Sequence, residues 1–177
     1  YIRAFPLEHT KTCVGYTLEE LPRPGEFHPE KARELKVPCG PLWAKLQAGF
    51  EVEAEDGTIV KPEQVLGAQR SGRKISYVTD TLYLDSIAKE VKGSDLLFCE
   101  GMFAKDFEDQ AKEKKHMTST QAAQIAKDAN VKKMALIHYS PRYNDYELKD
   151  LLTEAQSVFP ETVLSKDRMT FEIPNED

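Results

Sequence analysis

Cysteine, long apolar runs and positive charge are all scarce in this sequence, and each scarcity excludes something. The three cysteines (Cys13, Cys39 and Cys99) are odd in number and widely spaced. That argues against a disulfide framework and for a reducing compartment, so the expected location is cytoplasmic. No apolar stretch approaches the roughly 18 residues that span a membrane, and no signal-peptide pattern is visible. No membrane partner is expected. The 177 residues carry a formal net charge of −6, so any nucleic-acid contact must come from local basic patches, because the global field opposes it. A starting methionine is also missing. The chain opens on Tyr1 within "YIRAFPLEH", which reads directly as a strand; a processed protein or a piece of a longer one is expected.

What is present is a globular composition, 40% hydrophobic and 31% charged, suited to one domain or part of a larger one. Residues 1–18 read as two short strands. Residues 20–62 differ: six prolines fall there, too many for a continuous sheet or a long helix. Two short helices fit inside, "PEKARELK" with Pro29 in its first turn and "GPLWAKLQAG" with Leu42, Trp43 and Leu46 as its apolar side. A hairpin, "EVEAEDGTIV", closes at Asp56-Gly57. This stretch reads as an arm projecting from the domain. From residue 70 onward the pattern is regular: strand "KISYVTD", helix "LDSIAKEVKG", strand "DLLFCE", helices near 105–115 and 118–130, strand "KMALIH", helix 145–157, and short strands near "TVLS" and "MTFEI". Such alternation predicts an α/β layered domain.

Three strands end on residues able to bind metal or move protons: Asp80, Glu100 and His138. A fourth polar end is His9. In open α/β sheets the carboxyl ends of strands line the ligand crevice. Taken singly, these residues also read as a structural histidine, a turn cap or a solvated loop carboxylate. Together, on successive strand ends, they point to one shared site. His116 stands apart, just ahead of "TSTQAAQIAKDA". Thr118 and Gln121 have capping-box spacing, and Ala122, Ile125, Ala126 and Ala129 follow helical periodicity. His116 therefore lies just outside a helix N-terminus, where unpaired N–H groups suit a phosphate oxygen and disfavour further positive charge on the ring. A plain loop histidine beside "KEKK" is the alternative. His28, in "EFHPE", reads as an exposed loop residue without a role.

The segments "PLEHTKTCVGY", "GPLWAKLQAG", "SYVTDT", "CEGMFA", "HMTSTQAAQIAKDA" and "LIHYSPRY" occur in this order at fitting intervals. Over essentially all 177 residues they resemble the C-terminal part of ribonuclease Z, the tRNA 3′-processing endonuclease family of the metallo-β-lactamase superfamily. The resemblance implies an α/β fold that is the C-terminal half of an αββα sandwich, with residues 20–62 as an inserted exosite arm that grips tRNA from one subunit of a homodimer. It implies two Zn2+ ions per complete site, with His9, Asp80 and His138 as metal ligands and Asp80 as the bridge. His116 would protonate the leaving group and Glu100 would orient it. Where the family reads His-Glu-Ala-Thr, this chain reads Cys99-Glu100-Gly101-Met102.

The implied partner is precursor tRNA, not DNA. Arg33, Lys36, Lys45, Arg70, Arg73 and Arg142 are the expected backbone contacts. In the arm, Arg23, Lys31, Arg33, Lys36 and Lys45 stand against Glu20, Glu26, Glu30 and Glu34, five against four, and "RSGRK" adds a second basic patch.

The family's His-x-His-x-Asp-His run occurs nowhere in this sequence. The chain is therefore expected to need an N-terminal half of the same domain for activity, and to be inactive alone. Its uncovered sheet face should make it self-associate or aggregate. Two other readings compete: a tRNA-binding module without catalysis, and a hydrolase of small phosphodiesters, against which the long arm argues.

Overall fold

The computed structural model describes residues 1–175. The chain divides into two compact units. One is built from Tyr1–Glu20 with Arg73–Pro174, the other from Leu21–Gly72.

In the first unit, among the described residues, β1 (Ile2–Glu8), β2 (Thr12–Glu19), β5 (Lys74–Val78), β6 (Leu96–Glu100), β7 (Lys133–Ile137) and β8 (Thr162–Leu164) form one sheet in the order β1-β2-β5-β6-β7-β8. The first three strands pair antiparallel, and β5 through β8 run parallel. The parallel part follows from the alternation with α3 (Ser86–Glu90), α4 (Glu108–Glu113), α5 (Ser119–Asp128) and α6 (Asp145–Val158), since parallel neighbours require crossovers. One sheet face carries Phe5, Val78, Leu97, Cys99, Met134 and Leu136. It packs under Ile87, Ile125, Ala126, Leu151 and Ala155 of the helices, in one continuous core.

The opposite face is set by the same register, because alternate residues share a side. Tyr16 pairs with Tyr77 and Leu18 with Ile75, and Tyr77 with Phe98. Tyr16, Leu18 and Tyr77 are exposed on it, as is Ile2. The expected last strand at "MTFEI" does not form: after β8 the chain is irregular. Phe171 instead lies edge-on to Phe98, 5.4 Å between ring centroids. Side-chain packing on the open face here replaces ladder pairing.

Three further boundaries differ from expectation. β5 stops at Val78 rather than Asp80, because the chain turns so that Leu82 N–H donates to Glu8 O at 2.8 Å. The helix expected over 84–93 is confined to Ser86–Glu90. The one near 105–115 begins as a 3-10 turn, Lys105–Phe107, before α4.

In the second unit, α1 (Pro29–Glu34), α2 (Pro41–Gln47), and the hairpin of β3 (Val52–Glu53) and β4 (Ile59–Val60) surround a small core of their own. Ala32, Val37, Leu46, Val52, Val60 and Val65 are buried there, with Trp43 packed against them. Both helices start on proline, where the missing N–H costs nothing. Gly25 is required: a Cβ there would sit 2.1 Å from Gly67 O. His28 is not an exposed loop residue. It is the half-buried N-cap of α1, with Nδ1 3.2 Å from Glu30 Oε1.

Candidate active site

Glu100 is fully buried at the carboxyl end of β6, and its charge is matched from three directions. Thr81 N–H donates to Oε1 at 2.6 Å. His116 Nδ1 lies 3.0 Å from Oε1 and 3.2 Å from Oε2. Met117 N–H reaches Oε2 at 3.4 Å. Thr81 is fixed in turn by its hydroxyl, which accepts from Glu8 N–H at 3.0 Å. Gly101 lets the strand end come close to β7, since a Cβ would meet Leu136 Cδ2 at 2.6 Å.

Ahead of α5, the Thr118–Gln121 capping box forms as expected, which places His116 just outside that helix. The imidazole is 9% exposed and borders a cleft of about 500 Å³ lined also by Leu82, Tyr83, Asp106, Glu108, Asp109, Lys112 and Gln121. The helix N-terminus was expected to disfavour charge on this ring. The hydrogen bond to Glu100 outweighs it: His116 holds its proton above the ordinary imidazole range, although burial pulls the other way. Burial likewise pushes the Cys99 thiol up, so Cys99 is an inert core residue.

His138 follows β7 in a left-handed conformation, φ 53°. This is uncommon for a residue with a Cβ, and such strain collects at functional sites. Its Nδ1 lies 3.4 Å from Asp80 Oδ1, with the two side chains 41% and 34% exposed. Its ring centroid is 5.2 Å from that of His116. His9, just past β1, has its ring 4.7 Å from His116, and its Nδ1 lies 2.9 Å from Lys115 O. Donation to that carbonyl leaves Nε2 with its lone pair, the arrangement that prepares a histidine to bind metal.

The structure thus brings His9, Asp80, Glu100, His116 and His138 together. Donor atoms of Glu100, His116 and His138 lie within 4.8 Å of one another. Glu100 and His116 Nδ1 are already occupied by each other, so this pair suits proton handling. Asp80 reaches His138 at 3.4 Å and His9 borders His116, but among the described residues His9, Asp80 and His138 do not close into a ligand group of their own: the trio whose ligand atoms come that near is Glu100, His116 and His138.

The expected RNA contacts are distributed over both units. In the second, Arg33 lies over the Trp43 ring at 5.3 Å, Lys36 pairs with Asp56 at 3.1 Å, Lys45 ends α2 exposed, and Arg70 Nε donates to Pro24 O at 3.1 Å. In the first, Arg73 is held by Glu20 and Ile173 O, and Arg142 lies over two phenylalanine rings. The positive balance of the arm does not survive a full count. With Lys61, Glu51, Glu53, Glu55 and Asp56 included, residues 20–62 carry six cations against eight anions. Thr81, Phe103 and Phe107 were not anticipated. Thr81 acts through its backbone, which no side-chain pattern reveals.

The chain belongs to the beta-lactamase superfamily: the profile described as "Beta-lactamase superfamily domain" matches residues 48–139, just over half the chain. Its relatives narrow the class. It is 66% identical to Ribonuclease Z of Treponema denticola, over 99% of this chain and 57% of that protein. It is 42% identical to Ribonuclease Z of Methanosarcina acetivorans, over 98% and 56%. The chain therefore spans about half the length of the curated relatives it matches. Among solved structures, the metallo-β-lactamase fold protein YhfI from Bacillus subtilis matches with TM-score 0.60 at 20% identity, over 97% of this chain and 49% of that one. Human tRNase Z, short form, matches with 0.54 at 22%, over 98% and 43%. The fold is the metallo-β-lactamase one.

Proposed function

We propose that the chain is the C-terminal portion of a ribonuclease Z, an endonuclease that removes 3′ trailers from precursor tRNA and is completed by an N-terminal half bearing the missing His-x-His-x-Asp-His ligands. The observation that carries this reading is the buried Glu100–His116 pair set beside Asp80 and His138 at the carboxyl ends of adjacent strands. Asp80, His138 and His9 would hold zinc, two ions in the complete site. When bound, zinc supplies a hydroxide at neutral pH and offsets charge on the phosphoryl group. Glu100 accepts from His116 Nδ1–H and so fixes the ring and its tautomer. His116 then gives the Nε2 proton to the departing ribose oxygen.

Arg33, Lys36, Lys45, Arg70 and Arg142 would position the RNA backbone, with the Leu21–Gly72 unit as the tRNA grip across a homodimer. Arg73 is the exception, since Glu20 and Ile173 take up its guanidinium. A cytoplasmic location agrees with this chemistry. The test mixes the chain with an N-terminal half taken from the Treponema denticola protein, zinc and a 3′-extended precursor tRNA. Cleavage directly after the discriminator base is expected. Folded halves that bind the RNA without cutting it would reverse the reading in favour of a non-catalytic tRNA-binding module.

A further inference from the structure

We propose that Arg142 and Phe107 hold one nucleotide of the RNA strand next to the catalytic pair, the guanidinium on its phosphate and the phenyl ring on its base. The inference rests on the ribonuclease reading, which already gives Arg142 to the RNA backbone, and adds to it the base contact on Phe107.

The guanidinium of Arg142 lies 5.1 Å from the Phe103 ring centroid and 5.3 Å from that of Phe107. Among the described residues its side chain makes no hydrogen bond and no ion pair. Asp106 and Glu108 flank Phe107 in sequence, yet neither pairs with it. An arginine placed over two rings, with no hydrogen-bond or ion-pair partner, keeps its N–H donors free in the planar fork that matches a phosphate.

The platform beneath it is fixed. Phe103 is fully buried, its N–H donating to Met117 O at 3.3 Å and its carbonyl accepting from Ser119 N–H at 2.8 Å. Ala104 N–H donates to the Tyr143 hydroxyl at 2.9 Å, and Ser140 N–H to Met102 O at 3.1 Å. These two bonds tie the loop carrying Arg142 to the segment leading into the 3-10 turn that carries Phe107. The row of flat groups begins at the site itself, since the Phe103 and His116 ring centroids are 6.3 Å apart.

Phe107 is 41% exposed. An apolar ring left open beside an unpaired cation suits a π-face that arrives attached to an anion, which is a nucleotide. The carboxylates of Asp106, Glu108 and Asp109 set the orientation. They repel a phosphate on the Phe107 side and can accept from the exocyclic amines of a base.

The test measures binding of the chain, completed by the Treponema denticola N-terminal half and without added zinc, to a 3′-extended precursor tRNA by fluorescence anisotropy, alongside copies carrying single abasic nucleotides on either side of the cut. Phe107→Ala should weaken binding about tenfold, and Phe107→Trp should restore it. One abasic position should produce the same loss in the unaltered chain and no further loss in Phe107→Ala. Arg142→Ala should weaken binding and flatten the salt dependence by about one phosphate contact. If the unaltered chain binds but neither Phe107→Ala nor any abasic position weakens it, the nucleotide contact is wrong and the ribonuclease reading stands. If the completed, unaltered protein binds no RNA, both fall.

Discussion

The two units solve the problem of placing charged residues in opposite ways. In the sheet unit Glu100 and His116 are buried and His9 is half-buried, and each is fixed by a named partner: Glu100 by Thr81, His116 and Met117, and His9 by Lys115 O. In the Leu21–Gly72 unit a small core supports proline-started helices, and the charges lie on the surface, as in the exposed Lys36–Asp56 pair. Fixed geometry suits chemistry, where a small displacement is costly. Exposed, adjustable charges suit backbone positioning, which tolerates movement. The difference is the one that the proposed division of labour, catalysis in one unit and grip in the other, requires.

The largest effect should come from the buried pair. In the completed enzyme, His116→Ala should lower kcat on precursor tRNA by roughly 10²–10⁴ with little change in KM. Glu100→Gln should also lower kcat, because the amide no longer accepts a proton-bearing Nδ1 in the same way. A KM effect of similar size would assign the pair to binding instead.

Next come the cores. Leu136→Ala in β7 and Leu46→Ala in α2 each remove a fully buried side chain, at a cost of about 2–5 kcal/mol. Amide exchange should locate each loss in its own unit. A Leu46→Ala loss of protection in β6 and β7 would mean that the units do not unfold separately. Thr118→Ala removes the cap of α5 and should cost about 1 kcal/mol, read as a lower melting temperature.

The smallest effect is in the second unit's hairpin. Hydrogen bonds from Thr58, side chain then backbone, with a further one from Lys36, hold the Asp56 carboxyl down at about 2. A depressed folded-state value means the contribution is complete above the unfolded value near 3.8 and disappears as pH falls toward 2. Asp56→Asn should therefore lose stability slightly at neutral pH and match the unaltered chain near pH 2, measured by thermal melts across that range.

Much of this was legible in the sequence, and the limits have physical causes. The strands and helices after residue 70 follow strong periodicities, and the Thr118–Gln121 box announced α5. His9, Asp80, Glu100 and His138 could be picked out because chemistry-bearing side chains recur at strand ends, and His116 because it stands just ahead of the capping box of α5. What could not be read is how they are aimed. His138 turns through a positive φ, Glu100 is held by the backbone of Thr81, and Arg142 rests on Phe103 and Phe107. These are tertiary outcomes with no local pattern. The segment 169–173 alternates like a strand, yet it finds no ladder partner and packs Phe171 on Phe98 instead.

The division of labour is tested most directly by excising Leu21–Gly72. Glu20 N–H already donates to Arg73 O at 2.9 Å, so a short glycine-containing turn can join β2 to β5. Steady-state kinetics on precursor tRNA would then be compared for the complete enzyme with and without that unit. The account predicts that KM rises at least about tenfold, of the order expected when several phosphate contacts are lost, while kcat at saturation stays within a few-fold. Abolished kcat with unchanged KM, in a protein whose sheet still melts cooperatively, would contradict it.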